Sequence, residues 1–158
     1  MARIVSGGLE LAATAHIRVA GPSTYFALPE GQKEIFTGGG ATVRAARIIS
    51  ASRMVEIMLT GRMLDVQAGA TFGLVREVSA PGACLASAMA IAKKLAANAS
   101  LSNHAIVTSI SRIPEMSSVE GLFAESLMAA VAQTGTDIQA RLGSFVDRSL
   151  PKVALQAA

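Results

Sequence analysis

Tryptophan is absent from this sequence, cysteine and tyrosine occur once each, and aromatic residues make up only 4% of it. The single cysteine, Cys84, excludes an internal disulfide, and with no Cys-x-x-Cys or Cys/His cluster there is no pattern for a zinc site, so no metal is expected. A lone cysteine is in keeping with a cytoplasmic protein. Charge is sparse too. Charged residues amount to 16%, and 14 Lys+Arg against 11 Asp+Glu leave a net charge of +3. The basic residues are scattered and not interleaved with aromatics, which argues against nucleic acid as a partner and leaves an anionic small molecule compatible.

Long hydrophobic runs are missing as well. Mean hydropathy is +0.47, but the most apolar stretch, around Val78 to Ala92, is interrupted by Pro81-Gly82 and stops at Lys93-Lys94. That falls short of the roughly 20 apolar residues a membrane helix needs, so no membrane partner is expected. The opening "MARIVSGG" has neither the apolar core nor the cleavage site of a secretory signal.

What is present is a chain of 158 residues, 51% of them hydrophobic, enough for one core built from Ala, Val, Ile, Leu and Met. Strand-like pieces at Arg3 to Val5, His16 to Ala20 and Tyr25 to Ala27 are bounded by Gly-Pro-Ser and Pro-Glu-Gly turns. From there the pattern turns helical. Helices are predicted over Ala41 to Ile49, Ser52 to Leu59, Asp65 to Thr71, Gly82 to Ala97 and Ser102 to Ile113, with a strand at Leu74 to Val78. Ser117-x-x-Glu120 has the spacing of a capping box before a further helix, and Thr136-x-x-Gln139 offers a second. The fold class expected is α/β (α+β), with a strand-and-loop part over residues 1–80 and a helical part over 81–158.

Two glutamates interrupt apolar surroundings in the first part: Glu10 in "SGGLELA" and Glu30 in "FALPEG". Gly7-Gly8, just before a short helical stretch predicted over Leu9 to Thr14, leaves unpaired backbone N–H groups at a helix start, where negative charge is favoured and a reactant can approach closely. Glu10 falls on the first turn. From spacing alone it reads equally as a carboxylate stabilised by the helix dipole, and Glu30 as a solvated turn residue. Gly38-Gly39-Gly40 lacks the Gly-Lys-Ser/Thr of a phosphate loop and reads as a turn into the next helix, on which Arg44 is structural. His16, His104 and Cys84 have no partner at a recognisable nucleophile elbow. Phe72, Met54, Met58 and Met63 suit the core or the lining of an apolar pocket.

The ordered segments "SGGLELAATAHIRVA", "FALPEG", "IFTGGGATVRAARII", "RMVEIMLTGRMLDVQAG", "FGLVREV", "GLFAESLMAA" and "TDIQARLGSFVDR" resemble consecutive stretches of the crotonase superfamily, the enoyl-CoA hydratases and isomerases. The resemblance implies the C-terminal portion of a crotonase-like ββα spiral followed by a helical trimerisation region. It implies a homotrimer or hexamer that acts on acyl-CoA thioesters, with coenzyme A as part of the substrate and no separate cofactor. In that resemblance Gly7 supplies one oxyanion N–H for the thioester carbonyl, and Glu10 and Glu30 work as an acid–base pair about one water. Arg148 and Lys152 match the basic end where CoA phosphates are held.

Family members run to about 260 residues, and this sequence starts where roughly the first 100 would already have passed, so the second oxyanion donor is not in it. The chain alone is therefore expected to show no appreciable turnover. A non-catalytic assembly protein, or an acyl-CoA-binding remnant that associates with full-length subunits, is the alternative. Glu34 stands where the family usually has glycine, so a charged side chain there either crowds the pocket or takes a backbone conformation that glycine accepts more easily.

Overall fold

The computed structural model describes residues 2–135 and 138–147; Arg148, Lys152 and the Thr136 of the second expected capping box lie outside them. The chain divides into two compact units, Met1–Ala92 and Lys93–Ala158.

In the first unit, β1 (Arg3–Val5) leads into α1 (Gly7–Ala12), and β2 (Val19–Ala20) and β3 (Tyr25–Ala27) follow. A single 3-10 turn, Glu30–Gln32, precedes α2 (Ala41–Ile49) and α3 (Ala51–Thr60). Then come β4 (Leu64–Asp65), α4 (Val66–Thr71), β5 (Glu77–Val78) and the start of α5 (Cys84–Ala96). β1 pairs in parallel with β3, with Val5 opposite Ala27, and β3 pairs antiparallel with β4. β2 and β5 form a separate parallel pair.

The core of this unit follows from helical periodicity. Ala41, Ala45 and Ile49 fall four residues apart on one face of α2 and are buried, as are Met54 and Ile57 of α3. They close over Leu9, Phe26, Leu28, Leu64 and Leu74. Each fully buried Leu or Ile contributes about 1.5–3 kcal/mol. Small residues are needed at the contacts: a Cβ at Gly69 of α4 would lie 2.5 Å from Phe26 Cε2. Of the expected pocket or core methionines, Met54 is buried, Met58 half-buried and Met63 exposed. Phe72 is half-buried with the Arg53 guanidinium 4.1 Å above its ring.

Two expected strands are shorter than their sequence pattern. Residues 14–17 lie outside the strand ladder: Thr14 N–H and Oγ1 both donate to the Leu11 carbonyl, and Ala15 N–H to the Ala12 carbonyl. Next to them the Arg18 guanidinium donates to the carbonyls of Ala15, Gly73 and Leu74, while the Arg18 carbonyl accepts from Arg76 N–H. Partial burial lowers the Arg18 pKa from its ordinary value. Leu74 N–H is taken by the Gly69 carbonyl at the end of α4, so strand pairing starts only at Glu77.

The second unit holds the rest of α5, α6 (Ser100–Ser109), a 3-10 turn at Ile113–Glu115, α7 (Ser118–Ala132) and α8 (Ile138–Val146). The helix expected to run to Ile113 ends four residues earlier. Pro114 has no N–H and its ring excludes a preceding helical turn, so the chain restarts as one 3-10 turn. At α7 the capping box is complete: Ser117 Oγ accepts from Glu120 N–H, and the Glu120 carboxylate accepts from Ser117 N–H. Among the described residues no helix is long and apolar enough to cross a membrane.

Candidate active site

Strand topology sets the first condition of the site. Neighbouring parallel strands end at the same sheet edge, and β1 and β3 end there at Val5 and Ala27. Gly7 follows two residues after one end and Glu30 three residues after the other. The crevice outside the carboxyl ends of parallel strands is where such sheets place ligands.

Ser6 makes the turn off β1. Its φ of 49° is in the left-handed region, its N–H donates to the Ala27 carbonyl at 3.0 Å, and its own carbonyl accepts from Leu9 and Glu10 N–H. The helix therefore starts at Gly7, two residues before the expected start. Gly7 and Gly8 occupy its first two positions, where an N–H has no intrahelical acceptor. Both glycines are exposed.

Glu10, on the same first turn, points its carboxylate back across the start of α2. Oε1 accepts from Gly39 N–H at 2.7 Å and from Ala41 N–H at 3.4 Å. Oε2 stands 4.0 Å from where a Cβ of Gly7 would be, so the carboxylate lies beside the glycine with the free N–H. A Cβ at Gly39 would fall 2.6 Å from Glu10 Oε2, so a side chain there would push the carboxylate from this position.

Glu30 opens the 3-10 turn after β3, and its backbone carbonyl accepts from Lys33 and Ile35 N–H. That turn is pressed onto the end of α3. A Cβ at Gly31 would lie 2.7 Å from the Met58 carbonyl oxygen, and Gln32 Nε2 donates to the Thr60 carbonyl at 2.7 Å. The Glu30 residue is 2% exposed, and its Oε2 is buried with no hydrogen-bond partner. The solvated-turn alternative for Glu30 thus does not hold. Thr37 Oγ1, in the same loop, is also buried and unpartnered.

Glu34 adopts φ 54°, the left-handed conformation that glycine accepts more easily, and its side chain is exposed. His16 and His104 are exposed, and Cys84 Sγ lies 3.2 Å from Ser79 Oγ. Among the described residues no three His, Cys, Asp or Glu side chains cluster as metal ligands. The structure thus brings Gly7 and Glu10 together and starts the Glu30 segment at the same sheet edge. The role of Gly39 in holding Glu10 was not read from the sequence. Its only local signal is the triple glycine directly before a helix.

A family model described as enoyl-CoA hydratase/isomerase matches residues 3–154. An enoyl-CoA hydratase of Mycobacterium tuberculosis is 33% identical over 106 residues, which are 67% of this chain and 40% of that protein. A crystal structure assigned as an enoyl-CoA hydratase from Rhodopseudomonas palustris superposes with a TM-score of 0.86 at 40% identity, over 94% of this chain and 57% of its own. That of an enoyl-CoA hydratase from M. tuberculosis gives 0.87 at 28% identity, over 96% and 60% respectively. The chain spans less than two thirds of the length of each of these relatives.

Proposed function

Because the chain belongs to the enoyl-CoA hydratase/isomerase family and has its crotonase-like fold, we propose that it carries the acid–base half of a site acting on acyl-CoA thioesters, and that the reaction is hydration of a 2-enoyl-CoA. Gly7 N–H, free at the start of α1, is one donor to the thioester oxygen as negative charge develops there. Glu10 and Glu30 hold one water between them. One carboxylate removes its proton as the oxygen adds to the β-carbon, and the other delivers a proton to the α-carbon of the resulting enolate.

The observation that carries this reading is Glu30: a nearly fully buried carboxyl with an unpartnered oxygen, on the turn after β3, whose parallel neighbour β1 leads into the helix that carries Glu10. Buried polar atoms are almost always paired within the protein, and an exception is expected where a group is reserved for a reactant. Two carboxylates favour hydration over a double-bond shift, which needs only one. Assembly into a homotrimer or hexamer is part of the proposal, supported by the exposed Ile106, Ile110, Leu122 and Phe123 of α6 and α7. Arg148 and Lys152 are proposed to meet the CoA phosphates.

The test is a chimera in which this chain replaces the matched stretch of the R. palustris relative, assayed with crotonyl-CoA by loss of the enoyl absorbance. Glu10→Gln and Glu30→Gln are each expected to lower turnover by at least about 10²-fold with the fold intact. A loss below about fivefold at either position, well short of the usual contribution of a positioned acid or base, removes that glutamate from the mechanism.

A further inference from the structure

Resting on the reading of Glu10 as an acid–base group, we infer that Arg44 is a positioning residue for it, acting through the Gly39–Gly40 turn. Arg44 lies one turn into α2 and donates from Nη2 to the Gly39 carbonyl. Gly39 in turn donates its N–H to Glu10 Oε1 at 2.7 Å. Both backbone polar groups of one glycine are therefore engaged, the N–H by the carboxylate and the carbonyl by the guanidinium.

Glycine is the residue least able to hold one backbone conformation by itself. A side chain here would displace the carboxylate, because a Cβ at Gly39 would come within 2.6–3.2 Å of three carboxylate atoms of Glu10. The stiffness has to be supplied from outside, and Arg44 supplies it. Its guanidinium lies directly against Gly40, where a Cβ would meet Nη2, Cζ and Nη1 at 2.5, 2.8 and 2.9 Å. Gly40 at φ 94° is thus needed both for the turn and for the room the guanidinium occupies.

The placement also has a cost that a merely helix-stabilising arginine would avoid. Arg44 Nε is buried without an acceptor, whereas a side chain swung into solvent would satisfy every donor. Such an unmatched donor is expected where the position of the group matters more than its own pairing. A carboxylate held within about half an ångström is what acid–base chemistry requires of its supporting residues.

The experiment is amide NMR of the ¹⁵N-labelled 158-residue chain. Glu10→Gln is expected to move the Gly39 amide proton, reporting their contact. Arg44→Met is expected to move the same resonance and to speed Gly39 exchange by at least about tenfold, while the Ala45 and Ile49 amides inside α2 keep their protection. Arg44→Lys, which retains one donor for the Gly39 carbonyl, is expected to recover most of the protection. Arg44→Gln serves the same comparison should Arg44→Met not fold.

Gly39 exchange within about twofold of wild type in Arg44→Met overturns the proposal. So does equal loss of protection at Ala45 and Ile49, which would make Arg44 a prop for the helix alone. In the chimera, Arg44→Met is expected to lower kcat with little change in KM. Full turnover in the Glu10→Gln chimera would remove the acid–base reading by itself, and the amide results would still decide the link from Arg44 to Glu10.

Discussion

Replacing Glu30 by methionine is expected to make the protein more stable, although substitutions at buried positions nearly always do the reverse. Glu30 is 2% exposed and its Oε2 has no partner. A buried acceptor left unpaired costs about 1–3 kcal/mol. Methionine is of similar length and bends to fit, and a swap that conserves volume costs below about 1.5 kcal/mol. The net gain is then on the order of 1 kcal/mol, which raises Tm by about 2–4 °C in a chain of this size.

Glu10→Met should go the other way, because it takes the acceptor from Gly39 N–H, which is exposed, and from the part-buried Ala41 N–H, a loss of about 0.5–1.5 kcal/mol. The opposite signs at the two carboxylates are the discriminating result. They are read from urea unfolding followed by far-UV circular dichroism, with the m-value required to stay constant. If Glu30→Met lowers stability by more than about 1 kcal/mol at constant m, the carboxyl is making net favourable structural bonds. The reasoning from its unpaired oxygen then fails, and the functional proposal loses the observation that carries it. A stabilising result marks the residue as one kept at the expense of stability, as active-site groups commonly are.

Other positions test the surrounding framework. Ser50, between α2 and α3, has φ 81° and ψ 152° and makes no side-chain cap; this region suits glycine alone, so Ser50→Gly should raise the urea midpoint by about 1 kcal/mol of stability. Gly69→Ala should destabilise by about 1–3 kcal/mol in the same assay, because its Cβ would sit 2.5 Å from the buried Phe26 ring. Hydrogen bonds from the Ser117 side chain and backbone hold the Glu120 pKa below its ordinary value. A carboxyl lowered on folding stabilises the start of α7 above its unfolded pKa, and that contribution disappears as pH falls through the lowered one. Amide protection at Ser117–Glu120, taken relative to the intrinsic exchange rate at each pH, should therefore fall with acid over that window, and Ser117→Ala, which keeps only the backbone bond, should weaken the dependence.

Much of this protein was legible in order along the chain. Four-residue spacing of Ala41, Ala45 and Ile49 fixes the buried face of α2, and Ser117 with Glu120 sets the start of α7, because capping and helical periodicity act between residues three or four apart. Asp65 likewise caps α4 by accepting from Ala68 N–H. The ordered motifs also sufficed to identify the family, and they made Glu10, Glu30 and Gly7 the candidates for its site.

Tertiary structure decided what those residues can do. Parallel pairing of β1 with β3 places the two glutamate-bearing turns at one sheet edge, though they are 20 residues apart. Packing of the Glu30 turn against α3 buries a carboxyl that local composition made look solvated. Gly39 reaches Glu10 across 29 residues, and the Arg18 guanidinium adds bonds to carbonyls more than 50 residues away. Local sequence carries the forces that act within a turn of helix; burial and the pairing of polar groups depend on which distant segments meet, and only the folded chain determines that.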